Sequence, residues 1–481
     1  MRVLFLSINN NWTPHFETEL ELMAKHKEAG DEIFVLACSG VLKACVSNLE
    51  HLKTVCMNCK GRFAEGMQRL SIPRANIFYL KKTHGLTFPS FASYDELKKF
   101  ECMGLPCGLF TATTLIAALR DTGFNVLNEK KIHNYLDTFM TVYLSMLDTL
   151  KACKPDRVYI FNGRFPEVAS ARFACEKLGV DYYTHERGGT CERYSLVKNT
   201  TPHSLKGIKE DIERVWHEAD PIEREKIGTK WFEDRVNKIE QDWLVYTKNQ
   251  EKEKLPDGFD RSRKNIAIFN SSMDEYAAFD EWKCDLYDDE TSALIDIIDA
   301  FAGCNDMHFY VRVHPNLANL ENDQIKKLRL LEQKKHAHLT IIWAHEKVDS
   351  YVLMQACDTV LTFHSTTGAE ASFWGRPSIL AGKALYEDLG CCYIPKNRDE
   401  LIAMIDSNLL PMAKDGAIKY GFWAATFGNV FEKFKPEGLF SGAFLGEKIK
   451  PKLSTSEKLL FRVYAKFDNV KLKRLQNSSK G

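Results

Sequence analysis

The chain has 481 residues, room for about two to four domains of ordinary size and enough to bury sizeable cores. Its 65 lysines and arginines balance 65 aspartates and glutamates, which removes the electrostatic argument for a nucleic-acid partner. With 44% apolar, 11% aromatic and 27% charged residues, the composition excludes a disordered chain and a multi-span membrane protein.

The opening run Arg2 to Ile8 predicts a buried strand, and Glu17 to Ala29 a helix with Leu20, Met23, Ala24 and Lys27 at helical spacing before Gly30. Glu32 to Cys38 reads as a second buried strand. Strand, helix, strand in this compass is a βαβ unit, so the fold class is α/β with a parallel sheet. Cys102 to Leu119 is uncharged, but Gly104, Pro106, Gly108 and three threonines dilute it, and it reads as buried or loop-forming backbone rather than a membrane span. A helix is expected over Ile132 to Lys151, a strand over Arg157 to Phe161, a helix over Glu167 to Leu178 capped by Gly179, and a short strand over Asp181 to Thr184.

Lys206 to Gln250 is charged and helical in pattern. Glu251 to Arg263, with Pro256, Asp257 and Gly258, has the composition of a linker and marks a domain boundary at 255/256. Beyond it, strands are expected at Asn265–Phe269, His308–Val313, Leu339–Trp343, Thr359–Phe363 and Ser378–Ala381, interleaved with helices, which makes 256–446 a second α/β domain. The tail 447–481 sets ten lysines and arginines against three acids. Within it Leu459, Leu460, Val463, Tyr464 and Phe467 recur at helical spacing among Lys458, Arg462 and Lys466. That pattern suits an interfacial helix on anionic lipid and equally a terminal helix packed on its own domain.

Chemistry-bearing residues collect at the ends of the expected strands. Thr362 to Ala371 carries a strand into a helix whose start is Ser365, Thr366, Thr367 and Gly368; free backbone N–H groups there would attract phosphate, with Glu370 one turn in as an acceptor for ribose hydroxyls. An ordinary capped helix would use the same letters. Upstream, Tyr310 to Asn316 delivers Arg312 and His314 to the same sheet edge, the arginine as a forked phosphate donor and the histidine as a proton-tunable one. After the first strand of the second domain, Phe269 to Tyr276 offers Ser271 and Ser272 to a phosphate and Asp274 or Glu275 as base or nucleophile.

Arg-x-His-Pro, followed by Ser-Thr-Thr-Gly-x-Glu-Ala and Gly-x-Pro, resembles the capsule polysaccharide biosynthesis proteins, a GT-B-type glycosyltransferase group that includes Kdo transferases. The same elements are loosely similar to sialyltransferases and teichoic-acid glycerophosphotransferases. The resemblance runs over roughly Asn265 to Pro377 and, in layout, over most of the chain; the tail lies outside it. It implies two Rossmann-like domains facing a cleft, a cytidine-activated donor, and His314 with the hydroxyl-rich helix start on the donor phosphate. The expected reaction moves a sugar such as Kdo from CMP to a growing capsule glycan or glycolipid. A CDP-polyol phosphotransferase, a sugar-nucleotide epimerase and a silent scaffold are the rivals.

In the first domain, Asn162, Gly163 and Arg164 end one expected strand and Thr184 to Thr190 ends the next. Arg164 and Arg187 could grip an acidic donor or acceptor bidentately, and Glu186 is the first-domain candidate for proton transfer beside Asp274 and Glu275. His15 and Glu17 are further acceptor-side candidates, with capping of the first helix as the alternative. Cys38, Cys45, Cys56 and Cys59 form a C-x6-C-x10-C-x2-C array that could close on structural zinc, although its irregular spacing reads rather as buried free thiols. No Asp-x-Asp pair stands out, so catalysis without a metal or other cofactor is expected. The scattered cysteines favour a reducing cytosol, with a peripheral position on the inner face of the plasma membrane through the basic tail.

Overall fold

The computed structural model describes residues 1–83, 85–124, 129–241, 244–275 and 280–478, with side chains to 475; Tyr276 of the Phe269–Tyr276 cluster lies outside them. The chain forms two compact units. One comprises Met1–Ala118, Phe124–Pro202 and Gly428–Gly481, the other Leu119–Gly123 and His203–Phe427.

The strands in chain order are β1 (Arg2–Ser7), β2 (Glu32–Ala37), β3 (Ile77–Tyr79), β4 (Arg157–Phe161), β5 (Tyr182–Arg187), β6 (Arg193–Lys198), β7 (Lys264–Phe269), β8 (Met307–Arg312), β9 (Leu339–Ile342), β10 (Thr359–Thr362), β11 (Ser378–Leu380), β12 (Asn429–Val430), β13 (Phe434–Gly438) and β14 (Ser441–Phe444). In the first unit the sheet order is β12-β6-β5-β4-β1-β2-β3. Strands β1 to β5 run parallel; at one edge β6 pairs antiparallel with β5, and β12 pairs antiparallel with β6. Val3, Phe5, Val35 and Ala37 bury one face of the sheet against the helix His15–Glu28 through Phe16, Leu20 and Met23. The chain runs outward from β1 to β3 and returns to place β4 on the other side of β1. This reversal leaves the loops after β1 and β4 splayed apart, the position where open α/β sheets hold ligands.

The second unit repeats the plan with a five-stranded, wholly parallel sheet of order β11-β10-β7-β8-β9. Its strands are continuous apolar runs because helices cover both faces. One face packs Ile266, Ile268, Phe309 and Val311 on Leu294, Ile298 and Leu328; the other packs Ala267, Tyr310 and Val360 on Leu353 and Met354. Here the reversal falls between β7 and β10. The register pairs Phe269 with both Arg312 and Thr362, so three strand ends finish level at one edge.

The two-sheet α/β expectation holds, and the five strands expected in the second half appear within a residue or two of their expected ends. The boundaries do not follow 255/256 and 446/447. Glu251 to Arg263 is no linker: Leu255 and Phe259 flank the Pro-Asp-Gly turn and bury against the second unit's core, Phe259 stacking on Tyr310. The charged helices Leu205–Glu218 and Pro221–Val236 join the same unit, because Ile212, Trp231 and Phe232 pack with Tyr420 and Trp423. Residues from 428 onward return to the first unit, where buried Glu21 accepts the backbone N–H groups of Glu432, Lys433 and Phe434 at 2.8–2.9 Å. Cys107–Leu119 is a largely buried helix, and no described helix is long and apolar enough to cross a membrane. Gly179 caps its helix at φ 64°, a left-handed backbone that favours glycine.

Candidate functional site: a polar hollow at the second sheet's edge

At the carboxyl edge of the second sheet, a hollow of about 360 Å³ is walled by the loops after β7, β8 and β10 and by residues of 235–250 and 350–354. Its volume is that of a small-molecule site. Three of its lining residues carry a buried polar atom without a partner among the described residues, a rarity in native interiors. Asn270 gives its Oδ1 to the His314 N–H at 2.6 Å, while its Nδ2 has no acceptor. Ser271 has its amide on Glu290 and its carbonyl on Gln324, yet its Oγ is unpartnered. Arg312 likewise keeps an unpartnered Nε–H.

His314 completes this set. Its Nδ1 accepts the Asn316 N–H at 3.1 Å, so the neutral ring carries its proton on Nε2 as a donor. Burial lowers its pKa to about 4, against a raising effect of Asp274. The imidazole is therefore a fixed neutral donor at neutral pH rather than the proton-tunable group expected. Tyr246 meets its ring edge-on at 5.4 Å between centroids.

Several other assignments change. The forked end of Arg312 is taken up by the carbonyls of Trp343 (2.8 Å) and Glu346 (3.1 Å), because the loop after β9 needs donors there. Glu370 does not offer its carboxylate to a ribose: Oε1 binds Arg235 (3.2 Å) and Thr366 Oγ1 (3.0 Å), and Oε2 accepts from the Tyr351 hydroxyl (2.6 Å). The start of the short helix Thr367–Phe373 is not a row of free amides either. The Thr367 N–H bonds Ser365 Oγ and the Gly368 N–H bonds the Ser365 carbonyl. Gly368 is required by packing, since a Cβ there would stand 2.3 Å from Tyr386 Oη. Ser365 Oγ donates to Thr367 Oγ1, and Ser365, Thr366 and Thr367 line the hollow's wall.

Of the two acids after β7, buried Asp274 is held by Ser272 Oγ and by Arg120 Nε at 3.3 Å and does not line the hollow, which fits a structural rather than a catalytic group. Glu275 is exposed, lines the hollow and accepts from Asn316 Nδ2 at 2.6 Å. Sequence reasoning missed Arg235, Tyr246, Thr247, Gln250, Tyr351, Met354 and His364 as wall residues. Most lie in 235–250, where the helical pattern lapses after Val236 and no motif announces a ligand.

The first unit has its own cluster at its sheet's reversal point. His15, at the start of the first helix, sets Nδ1 3.3 Å from Glu186 Oε1, and Asn162 Nδ2 donates to Glu186 Oε2 at 2.7 Å. Burial lowers the His15 pKa while Glu186 pulls it upward. A neutral imidazole with Nδ1–H on a carboxylate keeps Nε2 as a proton acceptor. Arg187 donates to the Thr13 carbonyl and lies over Phe440; Arg164 lies over Phe165, its backbone N–H on Asn162 Oδ1. The Glu17 carboxylate pairs with Arg62 and Thr13.

The cysteine array does not form a metal centre: Cys38 accepts the Gly40 N–H, Cys45 meets Ser47, Cys56 meets Asn48, and Cys59 donates to the Ile8 carbonyl. Burial pushes the Cys59 thiol up to about 12. Among the described residues, no group of three or more His, Cys, Asp or Glu side chains is arranged to hold a metal ion.

Residues 282–399, which include the Arg-x-His-Pro and Ser-Thr-Thr-Gly segments, match the family model of the capsule polysaccharide biosynthesis proteins, as the motif resemblance implies. Among solved structures, a Thermosulfurimonas dismutans KpsC beta Kdo 2,4 transferase is 15% identical, covering 56% of this chain and 79% of its own, with a TM-score of 0.30. A putative UDP-N-acetylglucosamine 2-epimerase from Listeria monocytogenes is 12% identical over 90% and 93% of the two chains, TM-score 0.28. MurG of Acinetobacter baumannii is 11% identical over 87% and 94%, TM-score 0.27. Scores this low do not establish a shared fold or activity. No curated protein matches the chain.

Proposed function

We propose that the protein is a glycosyltransferase of capsule or surface-polysaccharide synthesis whose second unit holds the phosphate of a nucleotide-activated sugar. The reading is carried by Asn270, Ser271, Arg312 and His314 lining one hollow, the first three each with a buried polar atom (Nδ2, Oγ and Nε) that lacks a partner among the described residues. Three of these groups are donors and the serine hydroxyl can be one, which is the chemistry an oxyanion needs and an apolar ligand does not. Their preorganisation would stabilise charge as it develops on the departing phosphate.

Counting the phosphate alone, charge favours a phosphodiester with one negative charge, as in a CMP-sugar such as CMP-Kdo, over a pyrophosphate with two. Among the described lining residues, Arg235 is neutralised by Glu370 and Arg312 is the cation without a carboxylate contact, while Glu275 adds a carboxylate to the wall, so the lining offers little positive charge to a double anion. Tyr246, Met354 and Thr247 offer the base an apolar and hydroxyl-bearing wall. In the first unit, this reading assigns proton acceptance from the sugar acceptor to His15 Nε2, with Glu186 holding the imidazole and Asn162 holding Glu186. We assign the chain to the cytoplasm, a reducing compartment that suits its fourteen cysteines.

A thermal-shift panel of CMP, CDP, UDP, GDP and their sugar conjugates tests the assignment, since a ligand bound by the folded state raises its apparent stability. Selective stabilisation by CMP and CMP-sugars is expected. Preference for UDP or GDP would discard the cytidine donor, and silence across the panel would discard nucleotide-sugar transfer.

A further inference from the structure

The C-terminal helix Thr455–Ser478 packs on the first unit by one side only. Phe461, Tyr464 and Ala465 are partly buried there, and Asp468 is fully so. The Asp468 carboxylate accepts the backbone N–H groups of Lys53 (3.1 Å) and Thr54 (2.9 Å) and the Thr54 hydroxyl (2.7 Å), capping the helix Lys53–Arg69. This contact fixes the roll of the terminal helix about its axis, and with it which side faces outward.

The outward side is apolar. Leu459 (64% exposed), Leu460 (47%), Val463 (43%), Phe467 (67%) and Val470 (50%) follow helical spacing. At about 100° per residue they fill an arc roughly 100° wide, opposite Asp468. On the same turn scale Lys458, Arg462, Lys466 and Lys473 form a row along one border of that stripe. None of the four makes an ion pair among the described residues, so their charge is available to an outside anion. Leu459 to Val470 spans only about 16 Å of helix, too short to cross a bilayer and suited to lying flat in its interface.

We propose that this face docks the protein on an anionic phospholipid bilayer, the apolar stripe entering the acyl boundary and the cationic row meeting the headgroups. The inference goes beyond sugar transfer and does not depend on it. Charge decides between a lipid surface and a second copy of the chain. Two such faces paired antiparallel would set one cationic row against the other, and paired in parallel would leave both rows unneutralised, whereas an anionic bilayer neutralises the row and accepts the apolar stripe.

The test is flotation of the full chain with vesicles of phosphatidylcholine alone and of phosphatidylcholine mixed with phosphatidylglycerol at about three to one. Association is expected with the anionic vesicles, weakened by added salt and slight on neutral ones. The outward double variant Val463→Ser/Phe467→Ser, checked for unchanged helix content by circular dichroism, should lower partitioning by roughly tenfold or more. Lys458→Glu/Lys466→Glu should abolish the preference for anionic vesicles. Failure of the wild type to float, equal binding to both vesicle types, or variants that bind like the wild type would each overturn the proposal. So would dimerisation that Phe467→Ser abolishes in a chain that ignores vesicles, which would make a second copy the occupant.

Discussion

Glu19 in the helix His15–Glu28 is buried beneath the first sheet's reversal point, its Oε2 accepting from Ser7 Oγ at 2.6 Å and its Oε1 3.9 Å from His185 Nε2. Burial pushes its pKa from the ordinary 4.5 up to about 8, with Ser7 pulling downward and Glu17 adding to the rise. At pH 7 the folded protein therefore keeps a proton that the unfolded chain has released. Stability tied to Glu19 is full below about pH 4.5 and falls as pH rises to about 8. At about 1.36 kcal/mol per pH unit, the loss by pH 7 is about 3 kcal/mol. Glu19→Gln removes the titration while keeping an acceptor for Ser7. The variant should match the wild type at pH 5 and exceed it by about 3 kcal/mol at pH 7 in urea unfolding, with first-unit amides followed by hydrogen exchange. Stability curves that run parallel from pH 5 to 8 would refute the burial argument.

The second unit should show its own acid sensitivity. Burial lowers His314 and His364 to about 4, so the unit loses stability as pH falls from about 6.5 toward 4, and His314→Gln should flatten part of that slope. Because His314 is already neutral, affinity measured by titration with a CMP-sugar, whose phosphodiester does not titrate in this range, should stay level from about pH 5.5 to 8; a rise below 6.5 would mean a protonating imidazole. Gly368→Ala should destabilise the unit by about 1–3 kcal/mol through its clash with Tyr386, with Tyr386→Phe in the same chain recovering part of the loss in urea unfolding. Tyr351→Phe and Glu370→Gln share one hydrogen bond, so a double-mutant cycle should be non-additive by about 1 kcal/mol, and additivity would contradict the network.

The sequence makes the strands of the second sheet legible because each is a continuous apolar run buried on both faces. It also places Ser271, Arg312, His314 and Ser365 at strand ends. What it hides is competition for hydrogen bonds. Nothing near Arg312 says that the carbonyls of Trp343 and Glu346 take its fork, and nothing near Glu370 announces Arg235 and Tyr351. The misplaced boundary has a similar origin. Pro256-Asp257-Gly258 reports a local turn, whereas burial of Leu255 and Phe259 depends on a sheet built from residues far along the chain. The return of 428–446 to the first unit begins with pairing of β12 with β6, whose two exposed residues leave no periodic trace, and is completed by Glu21 and by Phe431, Phe434 and Phe444 in a core assembled from distant residues.

The central claim is that Asn270, Ser271, Arg312 and His314 form a receptor for a nucleotide's phosphate. Calorimetric titration of CMP into the wild type, Asn270→Ala and Ser271→Ala tests it most directly. The account predicts saturable binding to the wild type and a loss of roughly tenfold in affinity for each variant, about one charge-assisted hydrogen bond apiece. Wild-type affinity in both variants, or no binding by the wild type, would contradict it.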